Sequence, residues 1–410
     1  MKPQKHKVIK SWVSNQYIRK IGRRFSPFVF PGLWLVVAFA KIKKKILSFS
    51  PQKKSILLVA QNIVAADYAR LVVNLMEEDK NLDFYFTDDQ LYKRKLDDDF
   101  IKRIADRKIH IIFALLRFWD LIIFVNHPWG LGIWFAPFLK KIYINHGICT
   151  GKINNDYDED GVYGKSRIIR PFSKPFYNKM FCPSKSEKIY ALNNNIRLKN
   201  RLLITGFLRA DILTELNTKR DKIRNSLGYK KNEIVVHIIS TWGKNSLFQT
   251  VGERLLDEVA KITNEYRFIF SLHPRYDEFG DIKNRNREDI LEKYRNLGIS
   301  PQGNIEWDEY VIACDIAISD HSSLSLFYIL LNKPVILVNV SSDSFRPGSV
   351  FDRLRKIVPN YNPSKNIKDL IENSKNSQET KQFQEFRETL VSFKGLAAKQ
   401  YKEEIYRIIG

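Results

Sequence analysis

Two doubly wound α/β halves, Rossmann-like and facing a central cleft, are what this 410-residue sequence predicts. Three observations carry the prediction. The chain is too long for one ordinary core and about right for two domains of roughly 150 to 200 residues each. From Ser55 onward, short β-rich apolar runs alternate with helical stretches, the pattern of parallel sheets with crossover helices. A charged helical stretch, Thr214 to Gly228, divides two series of such runs.

The first series begins with Ser55 to Ala60, an uninterrupted apolar run of the kind a buried parallel strand shows. Leu82 to Thr87, Lys108 to Phe113, Asp120 to Val125, Lys141 to Asn145, Met180 to Cys182 and Leu202 to Thr205 follow. The second series comprises Glu233 to Ser240, Arg267 to Leu272, Asn304 to Trp307, Asp315 to Ser319 and Pro334 to Val338. After Tyr361 the pattern is helical only, over Asn366 to Glu372, Glu379 to Phe393 and Ala397 to Ile409. The expected division is therefore a basic segment at 1–54, a first domain at 55–215, a second at 216–395, and a terminal helix at 396–410 that crosses back to the first domain.

The formal net charge is +23, and it is placed unevenly: residues 2 to 54 hold fourteen Lys or Arg, and no acid appears before Asp67. Such an asymmetry argues against a nucleic-acid groove spread over the fold and for a tail that meets an anionic surface. Within that tail the uninterrupted apolar run is only Leu33 to Ala40, preceded by Pro27, Pro31 and Gly32 and followed by Lys41, Lys43, Lys44 and Lys45. A spanning helix needs about 20 apolar residues, so the segment suits attachment in the membrane interface, where apolar burial and attraction to anionic headgroups act together. An amphipathic helix on the protein's own surface is the plainer reading. A signal peptide is disfavoured, because no small-residue cleavage site follows. Cys149, Cys182 and Cys314 are scattered without a CxxC spacing, which fits a reducing cytosol.

Ligands of open parallel sheets bind beyond the carboxyl ends of the strands, so the residues just after each run carry the chemistry. Lys141 to Asn145 ends in His146-Gly147. A histidine there can take a proton from an acceptor hydroxyl near neutral pH, or can simply bond a carbonyl beneath the loop. His127-Pro128 follows the preceding run and can line the acceptor side. In the second half, Ser240-Thr241-Trp242-Gly243-Lys244 offers a hydroxyl and an ammonium, and Lys244 reads equally as a phosphate contact or a solvated lysine. His273-Pro274-Arg275 adds a guanidinium that can donate two parallel bonds to phosphate oxygens. Ser319-Asp320-His321-Ser322-Ser323 turns from a strand into a helix at Leu324 to Leu331, where free amides suit an anion and the hydroxyls of Ser322 and Ser323 add donors. The same turn could be an ordinary helix cap. Asp156, Asp158, Glu159 and Asp160 read as a solvated acidic loop, so no metal is expected. GxSxG, HExxH, GxxxxGK[ST] and a GxGxxG after the first strand are all absent, which disfavours hydrolases, metalloproteases, NTPases and dehydrogenases.

Taken in order, His146-Gly147 with Lys152, Thr205-Gly206-Phe207-Leu208-Arg209-Ala210-Asp211, Ser240-Thr241-Trp242, His273-Pro274 and Ser319 to Ser323 resemble the CDP-glycerol glycerophosphotransferase family of teichoic-acid and capsule synthesis. The resemblance spans about residues 140 to 340. It implies a GT-B fold, attachment at the cytoplasmic membrane face, and transfer of a glycerol-phosphate or similar polyol-phosphate from a CDP-linked donor to a lipid-linked acceptor, with no cofactor. By the same resemblance, His146 deprotonates the acceptor hydroxyl, which attacks the β-phosphorus and expels CMP, while His273, Ser322 and Ser323 hold the diphosphate. Asp320, Arg275, Lys244 and Thr241 would complete the donor side, and His127, Lys152 and Arg209 the acceptor side. Three positions depart from the family pattern: Lys152 lies one residue later than usual after His-Gly, His321 stands where the family has Tyr, and Tyr328 where it commonly has an acid. Two other readings are compatible with the residues: a GT-B glycosyltransferase using a nucleotide-sugar, and a membrane-associated scaffold without catalysis.

Overall fold

The structure is a computed structural model and describes residues 32, 34–42, 53–60, 63–88, 107–126, 135–148, 163, 175–241, 243, 245–273, 287–301, 307–338 and 345–410. Two parallel sheets organise it. The first contains β1 (Lys54–Ala60), β2 (Leu82–Asp88), β3 (Arg107–Lys108), β4 (Leu121–Val125), β5 (Lys141–Ile144), β6 (Lys179–Cys182) and β7 (Leu202–Ile204), in the order β3-β2-β1-β4-β5-β6-β7. The second contains β8 (Val235–Ser240), β9 (Arg267–Leu272), β10 (Ile299–Pro301), β11 (Ile316–Ser319), β12 (Val335–Val338) and β13 (Asn360–Tyr361), in the order β10-β9-β8-β11-β12-β13. The direction of winding reverses between β1 and β4 and again between β8 and β11, the points at which doubly wound sheets open their ligand crevices.

By contacts the chain divides into two compact units, one of residues 1–146, 168–181 and 401–410, the other of 147–167 and 182–400. In the first, Ile56 to Ala60 of β1 and Ile122 to Val125 of β4 are almost wholly buried, as strands covered on both faces must be. Lys141 opens β5 from a fully buried position, its ammonium donating to the carbonyls of Ala136 (2.5 Å) and Leu139 (3.1 Å). That satisfies a charge which would otherwise be costly to bury, and it anchors the strand that leads to His146. Residues 401–410 pack within this unit: the Tyr401 hydroxyl meets that of Tyr68 (3.1 Å), Tyr406 donates to Asp79 (2.7 Å), and Lys140 donates to the carbonyl of Ile408 (2.6 Å).

In the second unit, one face of the sheet buries Val236, Ile238, Phe268, Phe270, Ile316, Ile318, Ile336 and Val338 against Leu255, Leu256 and Val259 of the helix Gly252–Ala260 and Ile290, Leu291 and Tyr294 of the helix Arg287–Asn296. Side chains of a strand alternate between faces, so His237 of β8 lies on the other face. There its ring meets Tyr310 of the helix Trp307–Ala313 and Tyr328 of the helix Leu324–Leu330.

Several elements differ from expectation. The run Lys108 to Phe113 is not one strand: β3 stops at Lys108, and Ile111–Leu116 is a helix whose first turn is closed by the His110 imidazole accepting from the amide of Ile112. The stretch Thr214 to Gly228 is two helices, Leu208–Asn217 and Arg220–Ser226. Trp307 starts a helix instead of ending a strand, with Asp308 and Glu309 placed favourably in its positive first turn. The edge strand is Ile299–Pro301 instead, and the two-residue strand β13 had no counterpart in the sequence reading.

Candidate active site

Register brings together the residues of the second unit that the sequence singles out for the donor side. Ser240 of β8 pairs with Leu272 of β9, and Ser319 of β11 pairs with Ile239 of β8. Thr241, His273 and Asp320 are therefore the first residues beyond three adjacent strands, at the point where the sheet changes direction. Asp320 is fully buried, and its Oδ2 accepts the backbone amides of Thr241 (2.9 Å) and Leu247 (2.7 Å). Ser240 Oγ accepts the amide of Phe248 (3.0 Å), and Ser246 caps the short helix Leu247–Thr250 by accepting from Gln249. Gly243 sits at φ +102 between them, a backbone region that favours glycine. The loop after β8 is thus folded back and held by one carboxylate. Asp320 braces this loop from within.

The rest of the turn divides by burial. Ser319 is fully buried, and the His321 ring is inside, edge-on to Phe345 at 5.8 Å. Ser322 Oγ accepts the Leu324 amide at 3.4 Å, so part of its capacity closes the helix start. Ser323, half-buried at the cap position, makes no side-chain cap bond. Its hydroxyl is therefore available to a ligand in a way that an ordinary capping serine's is not. His273 is half-buried at the end of β9.

In the first unit, His146 is half-buried just beyond β5, and its Nδ1 lies 2.5 Å from Oδ1 of Asn126. An amide oxygen only accepts, so Nδ1 donates, and in the neutral ring the lone pair falls on Nε2, the arrangement a general base requires. Asn126 holds a left-handed backbone, φ 72, directly after β4, and asparagine is among the few residues with a side chain that adopt it readily. The sequence reading missed this partner. The signal was present in a lone Asn ending the run Leu121 to Val125, one residue before His127. His127, Lys152, Lys244 and Arg275 lie outside the described residues, as does the acidic loop 156–160. Among the described residues no group of three or more His, Cys, Asp or Glu could hold a metal.

His237 was also missed, because it sits inside an otherwise apolar strand. It is fully buried, with Nδ1 2.8 Å from the Tyr328 hydroxyl and Nε2 2.5 Å from Ser271 Oγ. Burial pushes its pKa from 6.5 down to about 3, so the folded protein keeps the ring neutral at a pH where an unfolded chain protonates it. The unfolded state then binds the extra proton, and this contribution is complete above about pH 6.5 and lost as pH falls toward 3. Between pH 7 and pH 5 the expected loss is about 2 kcal/mol. It should appear as a larger drop in urea midpoint for wild type than for His237→Gln; equal drops would place the acid sensitivity elsewhere.

Comparison with known proteins fixes the family. The sequence model of CDP-Glycerol:Poly(glycerophosphate) glycerophosphotransferase matches residues 42–409. The chain belongs to this glycerophosphotransferase family. A curated relative, the teichoic acid poly(ribitol-phosphate) polymerase of Bacillus spizizenii, is 22% identical over 351 residues, covering 81% of this chain. The chain spans about half the length of that relative (50%). Among solved structures, the wall teichoic acid polymerase TagF matches with a TM-score of 0.59 at 14% identity, covering 97% of this chain and 98% of that one. S. aureus MnaA in complex with UDP matches with a TM-score of 0.57 at 11% identity, covering 87% and 98%. The fold of this glycerophosphotransferase-family chain is accordingly α/β of the GT-B type.

Within the second unit of this family member, the motif Thr205 to Asp211 makes several of the holding contacts. Arg209, expected on the acceptor side, is buried and paired with Asp308 at 2.7 Å, its guanidinium over the Trp307 ring. Removing one partner of such a pair strands a charge at a cost of about 3 to 5 kcal/mol. Gly206, at φ +76, passes so close to the Ser392 carbonyl oxygen that an added Cβ would lie 2.7 Å from it. Asp211 accepts the amides of Gly395 and Ala397 (2.8 Å each), satisfying free donors at the start of the helix Ala397–Ile409.

Proposed function

We propose that the chain transfers a polyol-phosphate, glycerol-phosphate or a close relative, from a CDP-linked donor to a membrane lipid-linked acceptor in teichoic-acid or capsule synthesis. The observation that carries this reading is the Asp320-braced turn system of the second unit, which gathers Thr241, His273, Ser322 and Ser323 at the end of a doubly wound sheet in a chain of this family. Arg275 and Lys244 extend the donor side. In the reaction, His146 Nε2 takes the proton of the acceptor hydroxyl. The oxygen bonds to the donor's β-phosphorus, the bond from that phosphorus to the bridging oxygen breaks, and CMP leaves with the electron pair. His273 and the serine hydroxyls stabilise charge on the diphosphate, so positioning and electrostatics supply most of the rate. His127 and Lys152 belong to the acceptor side. A TagF variant with CDPG is among the solved structures of the same fold (TM-score 0.60, 14% identity, 97% of this chain and 98% of that chain), which supports the choice of donor class.

The decisive experiment supplies purified protein and membranes with CDP-glycerol, CDP-ribitol, or UDP- and CMP-sugars and identifies the nucleotide released. CMP from a CDP-polyol is the expected product. UDP, or CMP from a CMP-sugar alone, would instead make the chain a glycosyltransferase, and release from no donor would make it a scaffold.

Attachment to the cytoplasmic membrane face is part of the same proposal. Residues 34–42 are helical, and Leu35 and Phe39 are 59% and 68% exposed beside Lys41. No described helix is long and apolar enough to cross a membrane. Apolar side chains turned outward among lysines suit an anionic lipid interface. Deletion of residues 1–50 is expected to move the protein from the membrane pellet to the supernatant while CDP still binds; a truncated protein that stays in the pellet refutes the anchor.

A further inference from the structure

The polar contacts of His237 join three elements that each lead to a donor-side residue. His237 is on β8, four residues before Thr241. Ser271 is on β9, two residues before His273. Tyr328 is in the helix that begins after Ser323. We propose that Ser271, His237 and Tyr328 are positioning residues that lock the ends of β8 and β9 and the Leu324–Leu330 helix into one arrangement and so set the geometry in which the diphosphate is held. The proposal rests on the reading of those ends as the donor site.

The contacts are close and buried: 2.8 Å from Nδ1 to the Tyr328 hydroxyl, 2.5 Å from Nε2 to Ser271 Oγ, with the imidazole fully buried. The Tyr328 hydroxyl also lies 3.4 Å from the Tyr310 carbonyl oxygen, extending the chain to the helix Trp307–Ala313. A neutral imidazole donates from one nitrogen and accepts at the other. One hydroxyl therefore donates to the ring and the other accepts from it, and the sequence of bonds has a single direction. Apolar contacts hold strands and helices at a distance but tolerate sliding; a hydrogen-bonded ring between three elements admits one relative placement. Deleting either hydroxyl leaves a buried ring nitrogen without its partner, and water can replace it only by opening the layer between sheet and helix. Burial holds the imidazole pKa near 3, which keeps the ring in the form that can both donate and accept.

The test uses the full chain with Tyr328→Phe and, on the opposite arm, Ser271→Ala, each a deletion of one oxygen. Calorimetric titration compares CDP, which has the β-phosphate, with CMP, which lacks it. CDP affinity is expected to fall about 10-fold in either variant, the equivalent of one lost hydrogen bond, with CMP affinity within about twofold. Amide hydrogen exchange is expected to rise together at residues 270–273 and 320–326, while the helix Ile367–Ser374 keeps its protection. Equal losses for CDP and CMP, or unchanged exchange at residues 270–273 in Tyr328→Phe, would overturn the proposal. If the wild type binds neither nucleotide, the donor-site reading fails, and the exchange pattern alone decides: coupled loosening upholds the lock and its absence removes it.

Discussion

His146→Ala is expected to lower nucleotide release from the CDP-linked donor by about 10²- to 10⁴-fold, the range that a positioned general base contributes. CDP binding should remain within about twofold of wild type, because the substitution leaves the donor-side residues intact. That split separates loss of a base from loss of the fold. The reasoning rests on the 2.5 Å contact between Nδ1 and Asn126 Oδ1, which fixes the ring's proton on one nitrogen and its lone pair on the other. Asn126→Ala removes the orienting oxygen while leaving the imidazole, and a smaller loss of about 10-fold is expected, with KM for the donor unchanged. Full turnover by His146→Ala would take the proton-accepting role away from this residue.

Asp320→Ala is expected to act differently, through the loop and the fold at once. Two backbone amides, of Thr241 and Leu247, donate to one buried carboxylate oxygen at 2.9 and 2.7 Å. Bonds to a charged acceptor are worth more than neutral ones, and the alanine variant leaves two buried donors unsatisfied, for an expected destabilisation of about 3 to 5 kcal/mol. The loop they hold would open, and binding of CDP is expected to disappear. Asp320→Asn retains an oxygen in the same place without the charge, so its loss in stability should be smaller and part of the binding should survive. The measurements are denaturant midpoints and calorimetric titration with CDP on the three proteins. An alanine variant as stable as wild type would show that the carboxylate does not brace the loop.

Much of the architecture was legible because buried parallel strands are continuous apolar runs. Ser55 to Ala60, Glu233 to Ser240 and Asp315 to Ser319 each fall on a strand of the structure, and their succession implied doubly wound sheets. What escaped were cases where the local pattern is ambiguous. The apolar run of the Ile111–Leu116 helix has no period of its own, and only the His110 cap decides for helix. The strands Ile299–Pro301 and Asn360–Tyr361 are edges too short to carry a period. In the site, the turn from Ser319 to Ser323 was visible as a string of polar residues after a strand, but its division of labour was not. Asp320 finds its partners 79 and 73 residues away in the chain, and they are main-chain amides that no side-chain motif records. His237 looked like part of a core strand for the same reason: its two partners lie 91 and 34 residues distant. Arg209, read from a motif as an acceptor-side cation, turned out to have its counter-charge in Asp308, 99 residues on.

The brace formed by Asp320 has one further consequence, for how such a chain can diverge. At Thr241 and Leu247 it grips amide N–H groups, which every amino acid except proline supplies. The side chains at 241 and 247 are consequently able to change while those two bonds persist, whereas Gly243, at φ +102, and Ser246, which caps the following helix, are tied to the loop's path. A brace made to the main chain thus lets sequence drift at the two gripped positions leave the turn beneath them unbroken.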